Sequence, residues 1–104
     1  NVTYITGGIG DEELEQLKSQ EGQYNLRVLM SAKGGEYVSE VALRIADAKG
    51  AEVVNAPSTG PYFYAKLPDG NYTVEMTTRG GETKKTNVKV SAKGLAKQSV
   101  VFAE

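Results

Sequence analysis

From residue 24 onward, apolar and polar side chains alternate along the chain with a period of two. The first two such segments, YNLRVLMSAK and YVSEVALRIADA, place apolar residues at every second position: Tyr24, Leu26, Val28 and Met30, then Val41, Leu43 and Ile45. Such alternation is typical of strands with one face in a core and the other in water. Five further segments are AEVVNA, PYFYAKL, NYTVEMTT, ETKKTNVKVS and LAKQSVVFAE. Turn signals separate them, so the sequence predicts seven strands with the spacing of a β-sandwich.

The first 22 residues follow a different pattern. Residues 1–10 read as an extended lead-in that ends in the loop TGGIG, and residues 11–20 read as a short helix. Three acids begin that helix, where the helix dipole favours them, while Leu14 and Leu17 form a narrow apolar stripe and Gly22 supplies a stop. A stripe of two leucines must dock on a larger surface to persist. We therefore divide the chain into a lead-in with a helix at 1–22 and a sandwich at 23–104.

Residues 60–74, GPYFYAKLPDGNYTV, combine turn formers with aromatic rings. Pro68 restricts its own φ, and the following Asp-Gly pair, which includes Gly70, tolerates a reversal of the chain. Tyr72 and Val74 then point to one face of the next strand. The segment therefore predicts a corner between two strands.

The strand before this corner has two possible orientations. Alternation backwards from Leu67 buries Ala65 and Phe63, whereas the opposite alternation buries Tyr62 and Tyr64. The second orientation requires an irregularity directly before Leu67. It leaves Phe63 facing outward as a contact residue.

The corner resembles the signature G-x-(F/Y)-x-(F/Y)-x-x-L-P-x-G-x-Y-x-V of carboxypeptidase regulatory-like domains. The matching positions are Gly60, Tyr62, Tyr64, Leu67, Pro68, Gly70, Tyr72 and Val74. With the similar strand pairs upstream, the resemblance covers roughly residues 24–103. It implies an all-β, seven-stranded Greek-key sandwich of the transthyretin-like type, and it favours the second orientation. It also implies a tyrosine corner, in which the buried Tyr72 hydroxyl finds a backbone partner.

Two further resemblances bear on chemistry and location. Cna-B-like adhesin modules share much of the motif, but an intramolecular Lys–Asn bond is excluded because the first predicted sandwich strand carries Arg27 instead of lysine and the last has no asparagine. The segment TYITGGIGDEELEQL is similar to the mature N-terminus of small secreted proteobacterial proteins that carry the regulatory-like domain. It implies a periplasmic or secreted protein whose signal peptide has been removed.

Composition excludes several classes of function. The 104 residues suffice for one domain, and the formal net charge of −1 lacks the positive footprint of a nucleic-acid-binding protein. No apolar run approaches the roughly 18 residues of a membrane span. Cysteine and histidine are both absent, which removes Ser-His-Asp triads, thiol nucleophiles and ordinary zinc sites.

The remaining chemical candidates are better explained as structure. The glycine-rich loop TGGIGDEE lacks the spacing of a phosphate cradle, and its acids occupy the positive end of the helix. Asp47 and Asp69 lie at turns, where aspartate forms local hydrogen bonds, and DGN at 69–71 is not a calcium loop. The sequence therefore predicts no catalytic residue, cofactor or metal site.

Charge is unevenly distributed along the chain. Residues 1–24 carry five acids and one lysine, a net charge of −4, and residues 80–104 carry five lysines and two acids, a net charge of +3. The simpler interpretation is two separate solvated surfaces. The alternative is that the acidic segment lies across the basic strands, in its own molecule or in a neighbouring one, where charge selects orientation more than it adds stability.

These observations predict a non-enzymatic binding or structural module. Its partner is expected to be a protein or cell-envelope material, met through exposed strand edges or through the contact residues Phe63, Tyr4 and Tyr37. The alternative is a carbohydrate-binding module of the starch-binding-like type. Such modules hold sugars on exposed aromatic rings, and in a chain without tryptophan Tyr4 and Tyr37 are the rings expected to be exposed.

Overall fold

The computed structural model describes residues 2–103 and is dominated by β-structure. In chain order the elements are β1 Thr3–Gly7, α1 Asp11–Ser19, a 3-10 turn at Glu21–Gln23, β2 Leu26–Ala32, β3 Ala42–Asp47, β4 Glu52–Pro57, β5 Tyr62–Lys66, β6 Gly70–Thr77, β7 Thr83–Val90 and β8 Ala96–Phe102. The seven strands and the helix predicted from the sequence are all present. The predicted count is nevertheless wrong, because the expected lead-in contributes β1 as an eighth strand.

The strands form two four-stranded sheets. The first sheet has the order β1-β5-β2-β8, and the second has the order β4-β3-β6-β7. Neighbouring strands are antiparallel except for β2 and β8, which run parallel from the pair Leu26–Ala96 to the pair Ala32–Phe102. β1 pairs with β5 from Thr3 opposite Lys66 to Gly7 opposite Tyr62, so the N-terminal segment belongs to the sandwich itself.

The main core lies between the two sheets and consists of alternate side chains from their inner faces. Its members include Leu26, Val28, Met30, Leu43, Ile45, Val54, Phe63, Ala65, Tyr72, Val74, Met76, Val88, Val90, Val100 and Phe102. Full burial of each larger apolar side chain contributes about 1.5–3 kcal/mol relative to exposure. This alternation is the physical basis of the period of two in the sequence.

A second, smaller core lies on the outer face of the first sheet, beneath α1. Leu17 of the helix packs with Tyr62 and Tyr64, and the partly buried side chains Ile5, Leu14, Tyr24, Leu29 and Leu95 surround them. The narrow leucine stripe therefore docks on an aromatic surface of β5. The helix makes a third layer on one side of the sandwich.

The position of Phe63 corrects the orientation expected for β5. Phe63 is fully buried in the main core together with Ala65, while Tyr62 and Tyr64 are buried on the opposite face. The expectation that Phe63 faces outward as a contact residue is wrong. The reason is that α1 covers the other face, so both faces of β5 exclude water and no irregularity is needed to bury the two tyrosines.

The corner at 60–74 has the predicted hydrogen bond. The buried Tyr72 hydroxyl donates to the Pro68 carbonyl at 2.7 Å, and Leu67 and Val74 are buried beside it. Burial raises the pKa of Tyr72, with further contributions from the nearby carboxylates of two aspartates. The corner is therefore a structural element of the sandwich.

A contact that the sequence did not indicate fixes the corner to β2. The buried Asn25 side chain donates to the Leu67 carbonyl at 2.7 Å and accepts from the Leu67 amide at 2.8 Å. Both bonds involve the main chain of Leu67, which lies directly after the last residue of β5. They hold the end of β5 against the start of β2.

The charged segments lie on opposite sides of the sandwich. α1 packs beside β1, at one edge of the first sheet, whereas β8 forms the other edge. Within residues 2–103, no ion pair joins the acids of 1–24 to the lysines of 80–104; the acid Glu21 instead pairs with Arg27 at 3.6 Å. Docking of the acidic segment across the basic strands of the same molecule is therefore not observed.

Among residues 2–103, no helix has the length and apolar character that a membrane span requires.

Candidate binding surface along the first strand

The three predicted contact residues have different environments. Phe63 lies in the core, as described above. Tyr4 on β1 is 45% exposed, and its ring stacks on Phe63 with a centroid distance of 5.1 Å. Tyr37, in the connection between β2 and β3, is 59% exposed. Two of the three residues therefore present an aromatic ring to solvent.

β1 is an edge strand without the usual protection against strand pairing. Natural edges are commonly blocked by lysine, other charges or proline. Two of the other three edges follow this rule, since β4 carries Glu52 and Pro57 and β7 carries three lysines, whereas β8 carries a single charged residue, Lys97. β1 has the sequence TYITG and contains neither a charged residue nor a proline. Its outer edge is therefore the one least protected by charge. Thr59 contacts its Thr6 end, where the Thr59 hydroxyl donates to the Thr6 carbonyl and the Thr59 amide donates to the Thr6 hydroxyl, both at 3.1 Å.

A groove of about 390 Å³ lies at the end of β1, where the chain turns into α1. Its lining residues are Gly8, Ile9, Gly10, Asp11, Leu14, Tyr37 and Pro61. Ile9 is 62% exposed, so the groove presents both a large aliphatic and a large aromatic side chain to solvent. Exposed apolar side chains clustered in a concave surface are typical of a binding site.

The loop that forms one wall of the groove is held by local contacts. The Glu13 carboxylate accepts hydrogen bonds from the Gly8 amide at 2.7 Å and the Ile9 amide at 3.2 Å. Gly8 has a φ of 102°, and a Cβ there would lie 2.6 Å from the ring of Tyr62. Only glycine allows the loop to pass this close to the aromatic layer. The wall is therefore preformed.

An aromatic and charged cluster adjoins the groove through Tyr37. The Tyr37 ring lies 6.5 Å from the ring of Tyr62, which stacks on Tyr64 at 6.3 Å. The Tyr64 hydroxyl donates to the Glu21 carboxylate at 2.5 Å, and the Arg27 guanidinium lies 5.9 Å from the centre of the Tyr62 ring. Burial, followed by the hydrogen bond to Glu21, raises the pKa of the Tyr64 hydroxyl well above its usual value.

A second depression, of about 450 Å³, lies between the β3–β4 turn and the corner, and its acids are already used in turns. The Asp47 carboxylate accepts from the amides of Lys49 and Ala51, both at 2.9 Å. The Asp69 carboxylate accepts from the Ala92 amide at 2.8 Å. Across residues 2–103, no group of three or more acidic, histidine or cysteine side chains is arranged to hold a metal ion.

Comparison of the sequence with models of known protein families gives no match, and comparison with curated proteins gives none either. The class is therefore defined by the fold and the surface: a β-sandwich of two sheets with one helix on its outer face. Its most distinctive surface combines the unprotected edge of β1 with the groove beside it. The sequence predicts only an extended lead-in at TYITGGIG, so it indicates neither the β1 edge nor the role of Ile9. TYITG contains no charged residue, although other segments of the chain are strongly acidic or basic. This contrast could have indicated the β1 edge.

Proposed function

We propose that this protein is a non-enzymatic binding module of the periplasm or extracellular space. Its partner is a protein or cell-envelope component that presents an extended segment. The observation that carries the proposal is the continuity of the unprotected β1 edge with the groove lined by Ile9, Leu14 and Tyr37. The non-enzymatic role is also supported by a sequence without histidine and cysteine.

The mode of binding follows from strand addition. An extended segment placed beside β1 gains main-chain hydrogen bonds at the start of the strand, around Tyr4, because the Thr6 carbonyl already accepts from Thr59. Side-chain pockets supply selectivity in this mode of recognition. The groove begins at Gly8, directly after the last residue of β1. An apolar side chain of the partner would pack there between Ile9 and Tyr37.

The finer assignment of the fold is part of the same proposal. We assign the sandwich to the transthyretin-like Greek-key type of carboxypeptidase regulatory-like domains, with β1 as an added edge strand. The tyrosine corner formed by Tyr72 and Pro68 supports this assignment. The periplasmic or secreted location is supported by the resemblance of the N-terminal segment to small secreted proteins. Fractionation of cells that express the natural gene tests the location directly.

Site-specific photo-crosslinking tests the binding surface. The chain carrying benzoylphenylalanine at position 37 is mixed with envelope and periplasmic fractions and irradiated. It should crosslink a discrete partner, which mass spectrometry then identifies. The matched control carries the same probe at Asn55, an exposed position on the outer face of the second sheet. The purified partner should bind wild type and should bind Ile9→Asp much more weakly. Equal crosslinking from both positions, or equal binding by the variant, would contradict the proposal.

The exposed ring of Tyr37 also favours a second candidate, a carbohydrate-binding module. A tyrosine beside a groove can serve as a platform on which a sugar ring stacks, and Tyr4 is the second exposed ring. Titration with a panel of soluble oligosaccharides, followed by tyrosine fluorescence, distinguishes the two functions. Saturable quenching that is lost in Tyr37→Ala would favour sugar binding, and an unchanged signal would favour the protein partner.

A further inference from the structure

We propose that one occupant of the β1 edge is a second copy of this chain, bound head to tail through the β8 edge of its first sheet. The inference rests on the β1 edge and the groove being the binding surface proposed above. In this arrangement the β8 edge of one molecule lies beside β1 of the next. The two first sheets then become one continuous sheet.

The charges at the two edges are complementary. Beside β1, the exposed side chains of α1 include Asp11, Glu12 and Glu15. Beside β8, the exposed lysines are Lys97 on the strand itself and Lys93 in the turn before it. Opposite potentials attract the acidic edge of one molecule to the basic edge of another. The acids of α1 and the lysines beside β8, which form no ion pairs with each other within residues 2–103 of one molecule, would thus face each other between two molecules.

The complementary charges would meet on the same face. Lys97 is in register with Arg27, which is in register with Tyr64, so Lys97 belongs to the outer face of the first sheet. α1 covers that same face at the β1 edge. A neighbouring molecule that continues the sheet beyond β8 therefore places its acidic helix on the side of the sheet from which Lys97 projects.

An exposed apolar side chain lies at the level of the groove. Val101 on β8 is 50% exposed, and its register partner is Ser31 on β2. Ser31 also forms a bridge with Tyr37, which lines the groove. When neighbouring copies pair without a shift along the strand direction, Val101 of one molecule lies level with the groove of the next. Packing of Val101 against Ile9 and Tyr37 would bury three of the four large hydrophobic side chains that the described surface exposes.

The same charges act against symmetric pairing. Two β1 edges brought together would place one acidic helix beside another, and two β8 edges would oppose their lysines. Like charges at an interface suppress such pairings. The interface is therefore heterologous, and association continues beyond a dimer unless the rotation between copies closes a ring.

Sedimentation velocity of the purified chain tests the proposal. We expect a weight-average mass that rises with concentration through multiples of 11.1 kDa and falls when NaCl is raised to about 0.5 M. Glu15→Lys and Val101→Asp should each weaken association about tenfold. Lys89→Glu, a charge reversal on the outer face of the second sheet, should have no effect. Circular dichroism establishes that each variant is folded.

A mixture of charge variants gives the sharper test. Glu15→Lys retains a basic β8 edge, and Lys97→Glu retains an acidic β1 edge, so each variant alone should associate weakly while the mixture associates more strongly than either. A monomeric wild type at low salt, association indifferent to Glu15→Lys and Val101→Asp, or no pairing in the mixture would each overturn the proposal. A monomeric chain that still crosslinks a foreign partner through position 37 would leave the proposed binding function intact.

Discussion

The side chain of Asn25 is expected to be a major determinant of stability, although it is a single polar residue. It forms two buried hydrogen bonds with one residue, Leu67, at 2.7 and 2.8 Å, and it is only 6% exposed. Asn25→Ala removes both partners at once. It leaves the amide and the carbonyl of Leu67 buried without their bonds.

The magnitude follows from the cost of unsatisfied groups. A buried donor or acceptor that loses its partner costs about 1–3 kcal/mol, so the two groups together should cost about 2–6 kcal/mol. This is a large fraction of the stability of a single domain, which is about 5–15 kcal/mol. With about 4 °C or more lost per kcal/mol in a domain of this size, the melting temperature should fall by at least about 8 °C.

Urea denaturation followed by far-UV circular dichroism measures this effect, since the chain has no tryptophan. The matched control is Asn71→Ala, an exposed asparagine on β6 whose removal should change stability by less than about 0.5 kcal/mol. If Asn25→Ala were as stable as the control, the stabilising role assigned to the two hydrogen bonds between Asn25 and Leu67 would be refuted.

Three further outcomes are expected from denaturation experiments. Phe63→Ala should cost about 3–5 kcal/mol because the ring is fully buried, whereas Val101→Ala, half exposed, should cost well under 1 kcal/mol; equal effects would contradict the corrected orientation of β5. Tyr72→Ala should cost about 3–5 kcal/mol, and Tyr72→Phe, which deletes only the bond to Pro68, about 1 kcal/mol; an unchanged melting temperature in Tyr72→Ala would exclude a structural corner. Because the pKa values of Tyr64 and Tyr72 are raised in the folded state, the folded chain retains protons that the unfolded chain releases, and stability should fall as the pH rises above about 10. Melting curves from pH about 8 to about 11 measure this loss, which Tyr64→Phe should reduce; a flat profile would disprove it.

The periodicity of the chain was sufficient to predict most of the fold. Seven strands and the helix were correctly predicted, because alternate burial in a two-sheet core forces apolar residues to every second position. The partner of the Tyr72 hydroxyl was also predictable, since its acceptor lies only four residues away in the chain. Such features depend on local sequence, and local sequence is what periodicity and turn chemistry report.

The orientation of Phe63 was decided by a contact distant in sequence. The segment YFYAK is apolar at successive positions, so its alternation is compatible with either face. Only the docking of α1 over Tyr62 and Tyr64 makes both faces interior. The hydrogen bonds between Asn25 and Leu67 likewise join residues 42 positions apart, which no local pattern reveals.

The candidate surface was also determined only by tertiary structure. The distribution of charge along the chain followed from the sequence, which also predicted that the rings of Tyr4 and Tyr37 are exposed. Pairing with β5 turned the expected lead-in into an edge strand, and folding brought Ile9 beside Tyr37, 28 positions later in the chain. Composition and spacing determine which segments become strands, whereas the packing of sheets and helix determines which edges and side chains remain open to a partner, because that depends on contacts between segments far apart in the sequence.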